Sequence, residues 1–207
     1  VVYIDISDAQ DEVSYDLSKD NIVIKSKSAL QPISQSQLSS LWGIRIFLSD
    51  NTTVVYHALN LLYDLLPHEG GKWRKIIHPS YIRDKWTIDK NVYNDYGKDG
   101  VESMKKYMNR LLSLLRNNNI NLTIAVYPWP SQVWFDDLNS IQVKIWENWA
   151  RENNVKFINH FPDFVKIGSS KTNKLETLEK YYLPGDPHFN KEGSKVVANK
   201  FLKVFFN

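Results

Sequence analysis

Between residues 99 and 205 the apolar residues of this chain switch repeatedly between helical and strand periodicity, and that alternation constrains the fold more than any other feature. Asp99 and Gly100 open a helical run, Val101 to Arg116, with Met104, Met108, Leu111, Leu112 and Leu115 on one face and Asn117-Asn118-Asn119 at its end. Leu122 to Tyr127 (LTIAVY) is apolar apart from Thr123, the pattern of a central strand in a parallel sheet. A helix around Ser140 to Asn153 leads to a short strand at Val155 to Ile158. A loop or short helix follows at Phe161 to Phe164, and a last helix runs from Asn190 to Phe205. This order predicts an α/β domain of three layers around a mostly parallel sheet, and chemistry in such sheets gathers at the carboxyl ends of the strands.

The first half is less regular. Val1 to Ile6 (VVYIDI) reads as a buried strand, and Asn21 to Lys25 (NIVIK) as a short second one. Apolar residues recur at helical spacing from Ser36 to Leu48 and from Asn51 to Leu66, with Asp50 or Asn51 as an N-cap and Pro67 as a stop. The span 67–96 is mixed and loop-like, with Gly70-Gly71, Trp73, Pro79 and Trp86, and reads as an insertion. Three loops are placed to meet at the reactive edge: Ser7 to Glu12, Pro128 to Trp134, and the loop around Asp186. A length of 207 residues suits one domain. The chain opens on Val1, already inside a strand-like run. Further residues, including any targeting or anchoring segment, are therefore expected before it, and the compartment stays open.

Composition narrows the function classes. A net charge of +3 is dispersed along the chain, without the basic stripe that nucleic acid requires. The longest apolar-rich runs, Val54 to Leu66 and Val196 to Phe206, are too short and too interrupted to span a bilayer. The absence of cysteine excludes disulfides, thiolate metal sites and a cysteine nucleophile. No glycine-rich phosphate loop is present. Asp186 and His188 could in principle join His57, His68, His78 or His160 around a divalent ion, but nothing groups these at ligand spacing. No metal and no cofactor is expected.

The chemistry concentrates in Gly185-Asp186-Pro187-His188-Phe189-Asn190, with Gly193 shortly after. An aspartate two residues before a histidine, on a loop feeding a helix, can present an oriented general base: the carboxylate fixes the tautomer and stabilises the imidazolium formed during turnover. Asn190 suits the cap of the final helix. Gly-Asp-Pro is also a common turn sequence, and a surface turn is the alternative reading.

Asp186-Pro187-His188-Phe189-Asn190-Lys191-Glu192-Gly193 before a final amphipathic helix resembles the last motif of the SGNH hydrolases, the GDSL-type esterases and lipases. Its Asp-x-His spacing is similar to the branch associated with acylation and deacylation of cell-surface polysaccharides. Ala125-Val126-Tyr127-Pro128-Trp129-Pro130-Ser131-Gln132 looks like a late core strand of that superfamily with its active-site loop, where Trp129 and Trp134 could offer apolar faces to a sugar or acyl chain. Asp5-Ile6-Ser7-Asp8 is similar to the family's Gly-x-Asn-Asp, with Asp5 for the glycine and Ser7 for the asparagine that donates to the oxyanion. The resemblance implies a flavodoxin-like SGNH-type domain over 1–207, incomplete at its N-terminus, with the nucleophilic serine before Val1. A rival register makes Ser7 the nucleophile; against it, Ser7 lacks small neighbours and residues 9 to 35 show no clear helix after it.

The implied activity is hydrolysis or transfer of an O-acyl group, plausibly acetyl, on a carbohydrate or similar ester. Asp186 orients His188, Ser7 assists the oxyanion, and these 207 residues alone are inactive. The resemblance slightly favours a periplasmic or cell-envelope setting. The competing expectation is a non-catalytic carbohydrate-binding or interaction domain that keeps the fold.

Overall fold

The apolar opening of the chain becomes a strand, and so do the two later runs that share its composition. The computed structural model describes residues 1–16, 23–24, 70–78, 81–166 and 168–206. Val2–Ile4 is β1. It leads into the helix α1 (Asp8–Ser14) and an antiparallel pair, β2 (Tyr15–Asp16) with β3 (Val23–Ile24). Next come a 3₁₀ turn at Gly71–Trp73, α2 (Arg74–Ile77), a second 3₁₀ turn at Lys85–Thr87 and α3 (Lys90–Val92). A π-turn at Tyr93–Gly97 then runs into the long α4 (Lys98–Asn117). The last part holds β4 (Thr123–Val126), α5 (Pro130–Trp134), α6 (Ile141–Glu152), β5 (Lys156–Asn159), α7 (Phe161–Phe164), α8 (Lys171–Tyr181) and α9 (Lys191–Phe206).

The fold is mixed α/β, mostly helical, around a small parallel sheet of order β1-β4-β5. Val2, Tyr3 and Ile4 stand opposite Ile124, Ala125 and Val126, and Thr123 to Val126 stand opposite Lys156 to Asn159. All four residues of β4 are buried, so both faces of the sheet are covered at its centre. The helices before β4 and β5 end alike: Asn119 (φ 56) and Asn154 (φ 50) adopt the left-handed conformation that turns the chain out of the helix and into the next strand. The core gathers Ile4, Ile124 and Val126 with Trp146, Phe161 and Phe164.

The structure differs from the sequence expectation in three places. A helix, α1, does follow Ser7. It carries few apolar residues, but Ala9 and Val13 join the core, Ser103 of α4 donates to Glu12 at 2.7 Å, and Asp8 and Asp11 lie in its first turn, where the helix dipole favours them. One objection to the Ser7 register therefore falls away. Where it is described, the span expected to be loop-like at 67–96 forms short helical turns instead, and its Trp73, Ile76, Ile77, Trp86 and Tyr96 are core residues. Finally, α8 has little apolar character of its own; it is capped by Ser170, which accepts from the Asn173 N–H at 3.2 Å, and anchored by the buried Leu178. The expected helices at 36–48 and 51–66, with their Asp50 or Asn51 cap and Pro67 stop, lie outside the described residues. Among the described residues no helix is long and apolar enough to cross a membrane.

Candidate active site

β1 and β4 end side by side, and the residues just beyond them converge on Asp5. The Ser7 N–H and hydroxyl both donate to Asp5 Oδ1, at 2.8 and 2.6 Å. The Tyr127 hydroxyl and the Trp129 indole N–H, the latter at 3.1 Å, donate to Oδ2. The Asp5 N–H in turn donates to Asp8 at 3.1 Å. The first pair forms an Asx-type turn that bends the chain from β1 into α1, and the second ties that turn to the loop after β4. Burial, followed by the nearby charge of Asp5, pushes the Asp8 carboxyl up to about 6. The Tyr127 phenol is raised by burial and then by Asp5, so it stays a donor.

The Asp186 loop reaches the same edge. Tyr182 and Phe189 pair as an antiparallel bridge, the Leu183 N–H donates to the His188 carbonyl at 2.9 Å, and the loop between them forms a tight excursion. The Phe189 ring packs against Phe164 (4.7 Å between centroids), Tyr182 (4.9 Å) and Tyr127 (5.6 Å), while the Tyr182 hydroxyl donates to the Pro128 carbonyl at 2.9 Å. The loop is thereby pinned to the carboxyl end of β4. Asn190 caps α9, accepting from the Glu192 and Gly193 N–H groups at 2.9 and 3.1 Å.

Within that loop Asp186 Oδ1 accepts the His188 backbone N–H at 2.8 Å and also faces His188 Nδ1. A carboxylate only accepts, so Nδ1 carries the proton and Nε2 is left as the base. The Asp186 carboxyl lies below its ordinary value, chiefly because of the His188 backbone N–H. The imidazole is open, with 76% of its side-chain surface exposed.

A second imidazole–carboxylate pair sits at the end of β5, at His160, which the sequence offers only as a metal ligand. His160 Nδ1 lies 3.2 Å from Asp163 Oδ2, which also accepts from Lys200 at 2.8 Å. Burial works against the Asp163 charge, but these two partners outweigh it and hold the carboxyl low. His160 is wholly buried beneath Tyr3, whose ring stacks on it at 5.9 Å. Of the two pairs, only His188 can reach a solute.

The floor beneath the rim is a buried polar cluster. Lys85 Nζ donates to Ile76 O (3.0 Å), Asp84 Oδ1 (3.1 Å) and Ser131 Oγ (2.9 Å). The Gln132 amide N–H₂ donates to Asp84 O (3.1 Å) and Thr87 Oγ1 (3.0 Å), while its oxygen accepts the Trp129 N–H at 3.0 Å. Burial drives both Asp84 and Lys85 toward their neutral forms, and their mutual attraction opposes it. This cluster sets the turn that carries Trp129. Nothing in the sequence marks it beyond the charged run Arg83-Asp84-Lys85 between Ile82 and Trp86.

The remaining sequence candidates fall differently. Ser7 is buried, and with its one hydroxyl proton committed to Asp5 it has none to give an oxyanion in this arrangement. Trp129 is 5% exposed and bonded to Asp5, so it acts as a packing and hydrogen-bonding group and has no open face for a sugar. Trp134 is half-buried, at the end of α5, where its carbonyl accepts from Lys174 at 2.9 Å. Among the described residues no three His, Asp or Glu side chains converge on a point that could hold a metal ion; His57 and His68 lie outside those residues. A groove of about 330 Å³ runs along β1 and α4, between Ile4, Met104, Met108 and Trp146, and the dyad does not border it. Comparison with protein-family models, with curated proteins and with solved structures finds no match.

Proposed function

We propose that this chain is the base-bearing part of an ester hydrolase or O-acyl transferase of SGNH type, acting on an acyl ester, such as an acetyl ester, of a carbohydrate or similar alcohol. The observation that carries the reading is the Asp186–His188 contact, held at the carboxyl end of β4 with Nε2 facing solvent. In this mechanism a serine hydroxyl attacks the ester carbonyl and passes its proton to His188 Nε2. The C–O bond to the leaving alcohol then breaks, and His188 returns the proton to that alcohol. Water or an acceptor hydroxyl repeats the sequence on the acyl-enzyme. Asp186 stabilises the imidazolium in both halves. The resemblance puts the serine before Val1, and the bond of Ser7 to Asp5 rather than to His188 speaks against the rival register.

The test is fluorophosphonate labelling of the protein as it occurs in its source, with the labelled residue mapped by mass spectrometry. A labelled serine before Val1, and labelling reduced at least ~10²-fold by His188→Ala, is the expected result. Labelling of Ser7 would replace the register, and full labelling of the His188→Ala protein would remove the dyad from the reaction. One observation favours the second reading, a binding domain without chemistry: among the described residues no hydroxyl is bonded to His188. That reading expects carbohydrate binding with no labelling at all.

A further inference from the structure

An ester centre needs a donor for the carbonyl oxygen as negative charge develops on it, and the side chains nearest the rim are already engaged. Ser7, Tyr127 and Trp129 all donate to Asp5, and the Tyr182 hydroxyl donates to Pro128. Tyr81 is different. It is half-buried, and its hydroxyl has no hydrogen-bond partner among the described residues.

Its position follows from how residues 70–78 and 81–87 are anchored. At one end the Lys72 carbonyl lies against the dyad loop, 3.1 Å from where a Cβ on Gly185 would stand. At the other, the Trp86 indole donates to the Ile6 carbonyl at 2.8 Å, and Arg83 grips both oxygens of Asp11 at 3.0 and 2.9 Å. Lys72 thus lies at the Asp186 loop and Trp86 at the end of β1, with Tyr81 between these anchors in sequence. Consistent with that place, burial and the charges of Asp84, Asp5 and Asp186 all resist ionisation of the phenol, with only Arg83 opposing. A phenol kept neutral is a hydrogen-bond donor.

Building on the His188 reading above, we propose that the Tyr81 hydroxyl donates to the carbonyl oxygen of the ester that His188 serves. When the serine oxygen–carbon bond forms, the carbonyl π pair moves onto oxygen, and Tyr81 stabilises that charge through its O–H without giving up the proton. The pair returns as the bond to the leaving alcohol breaks. The same surroundings define the acyl group: the anchors on either side of Tyr81 lie at the Asp186 loop and at the end of β1, beside Asp5, so a neutral acyl such as acetyl is accepted, and an acyl chain ending in a carboxylate is repelled.

The experiment compares wild type, Tyr81→Phe and His188→Ala in the protein as it occurs, using p-nitrophenyl acetate and its anionic counterpart, p-nitrophenyl hemisuccinate. Tyr81→Phe is expected to lower kcat by roughly 10²-fold, with KM and the thermal midpoint nearly unchanged, because the ring and its packing remain. Wild type is expected to prefer the acetate. A Tyr81→Phe protein within twofold of wild type, beside an inactive His188→Ala protein, overturns the donor role and leaves the His188 reading standing. A His188→Ala protein as active as wild type, or a wild type with no esterase activity, overturns both. A tyrosine that served packing alone would leave kcat untouched, since only the hydroxyl is removed.

Discussion

Replacing Asp137 by asparagine should stabilise the protein at pH 8 far more than at pH 4.5. Asp137 follows α5, with its N–H on the Gln132 carbonyl at 2.9 Å, and its Oδ2 is buried without a partner. Burial pushes its carboxyl from 3.8 up to about 6, against the pull of hydrogen bonds from Ser140 and Thr87. The raised value means that between pH 3.8 and 6 the folded state holds a proton that the unfolded chain has released, so stability falls as pH rises through this window and stays low above it. At about 1.4 kcal/mol per pH unit, the ionised form costs ~3 kcal/mol at pH 8. Asparagine mimics the protonated acid and removes that cost. Any pH-independent loss, such as one hydrogen bond that an amide cannot reproduce, cancels when the variant's effect at pH 4.5 is subtracted from its effect at pH 8. Urea denaturation of both proteins across that range gives the difference directly. About 1 kcal/mol of the ionisation cost is already present at pH 4.5, where the unfolded carboxyl is mostly ionised, so the difference should come out positive, at ~2 kcal/mol; a difference of zero or below would refute the electrostatic account. Asp8, also raised to about 6, adds a slope of the same sign that both proteins share, weakened by its greater contact with solvent.

Two further outcomes probe the frame around the dyad. Lys85→Ala should cost ~3–5 kcal/mol in urea denaturation, because it strands the Asp84 charge in the core; Asp84→Leu combined with Lys85→Met should recover much of that loss. Gly193→Ala places a Cβ 2.3 Å from the Tyr181 carbonyl and 3.0 Å from Phe189 Cβ, so it should cost ~1–3 kcal/mol and shift the His188 ring resonances in an NMR spectrum, whereas Ser194→Ala, one residue on and exposed, should do neither.

What the sequence reveals here depends on how local the cause is. The two α-to-β units of the second half are written into their own periodicity: the run expected at 101–116 is helical over 98–117, and that expected at 140–153 over 141–152. β4 and β5 fall within a residue or so of their apolar runs. α1 and α8 escape the same reading because neighbours, rather than their own apolar stripes, hold them in place. The Asp84–Lys85–Ser131–Gln132 cluster escapes for a deeper reason. Its members lie 46 residues and more apart in part, and whether a lysine is buried depends on which carbonyls the fold brings to it. Asp5 likewise reads as part of a strand end, and only the parallel register of β1 on β4 makes it the shared acceptor for Tyr127 and Trp129.

The same distinction decides how much the dyad itself tells us. An aspartate two residues before a histidine can close an Asx-type turn on its own, and Asp186 takes the His188 backbone N–H as well as facing its ring. Contact between the two side chains is therefore cheap, and spacing alone would produce it in a surface turn with no function. Location is not cheap. Phe189 has to fill a gap among Tyr127, Phe164 and Tyr182, and Tyr182 has to reach the Pro128 carbonyl, before the turn can stand at the end of β4. His160 supplies the internal contrast: a similar pair at the neighbouring strand end, equally well oriented but sealed beneath Tyr3. A histidine paired with a carboxylate is common to both; a free Nε2 at the rim belongs to His188 alone. The functional reading therefore rests on the aromatic anchor rather than on the acid. Phe189, which does no chemistry, is the residue whose removal should separate an intact Asp186–His188 contact from a correctly placed one.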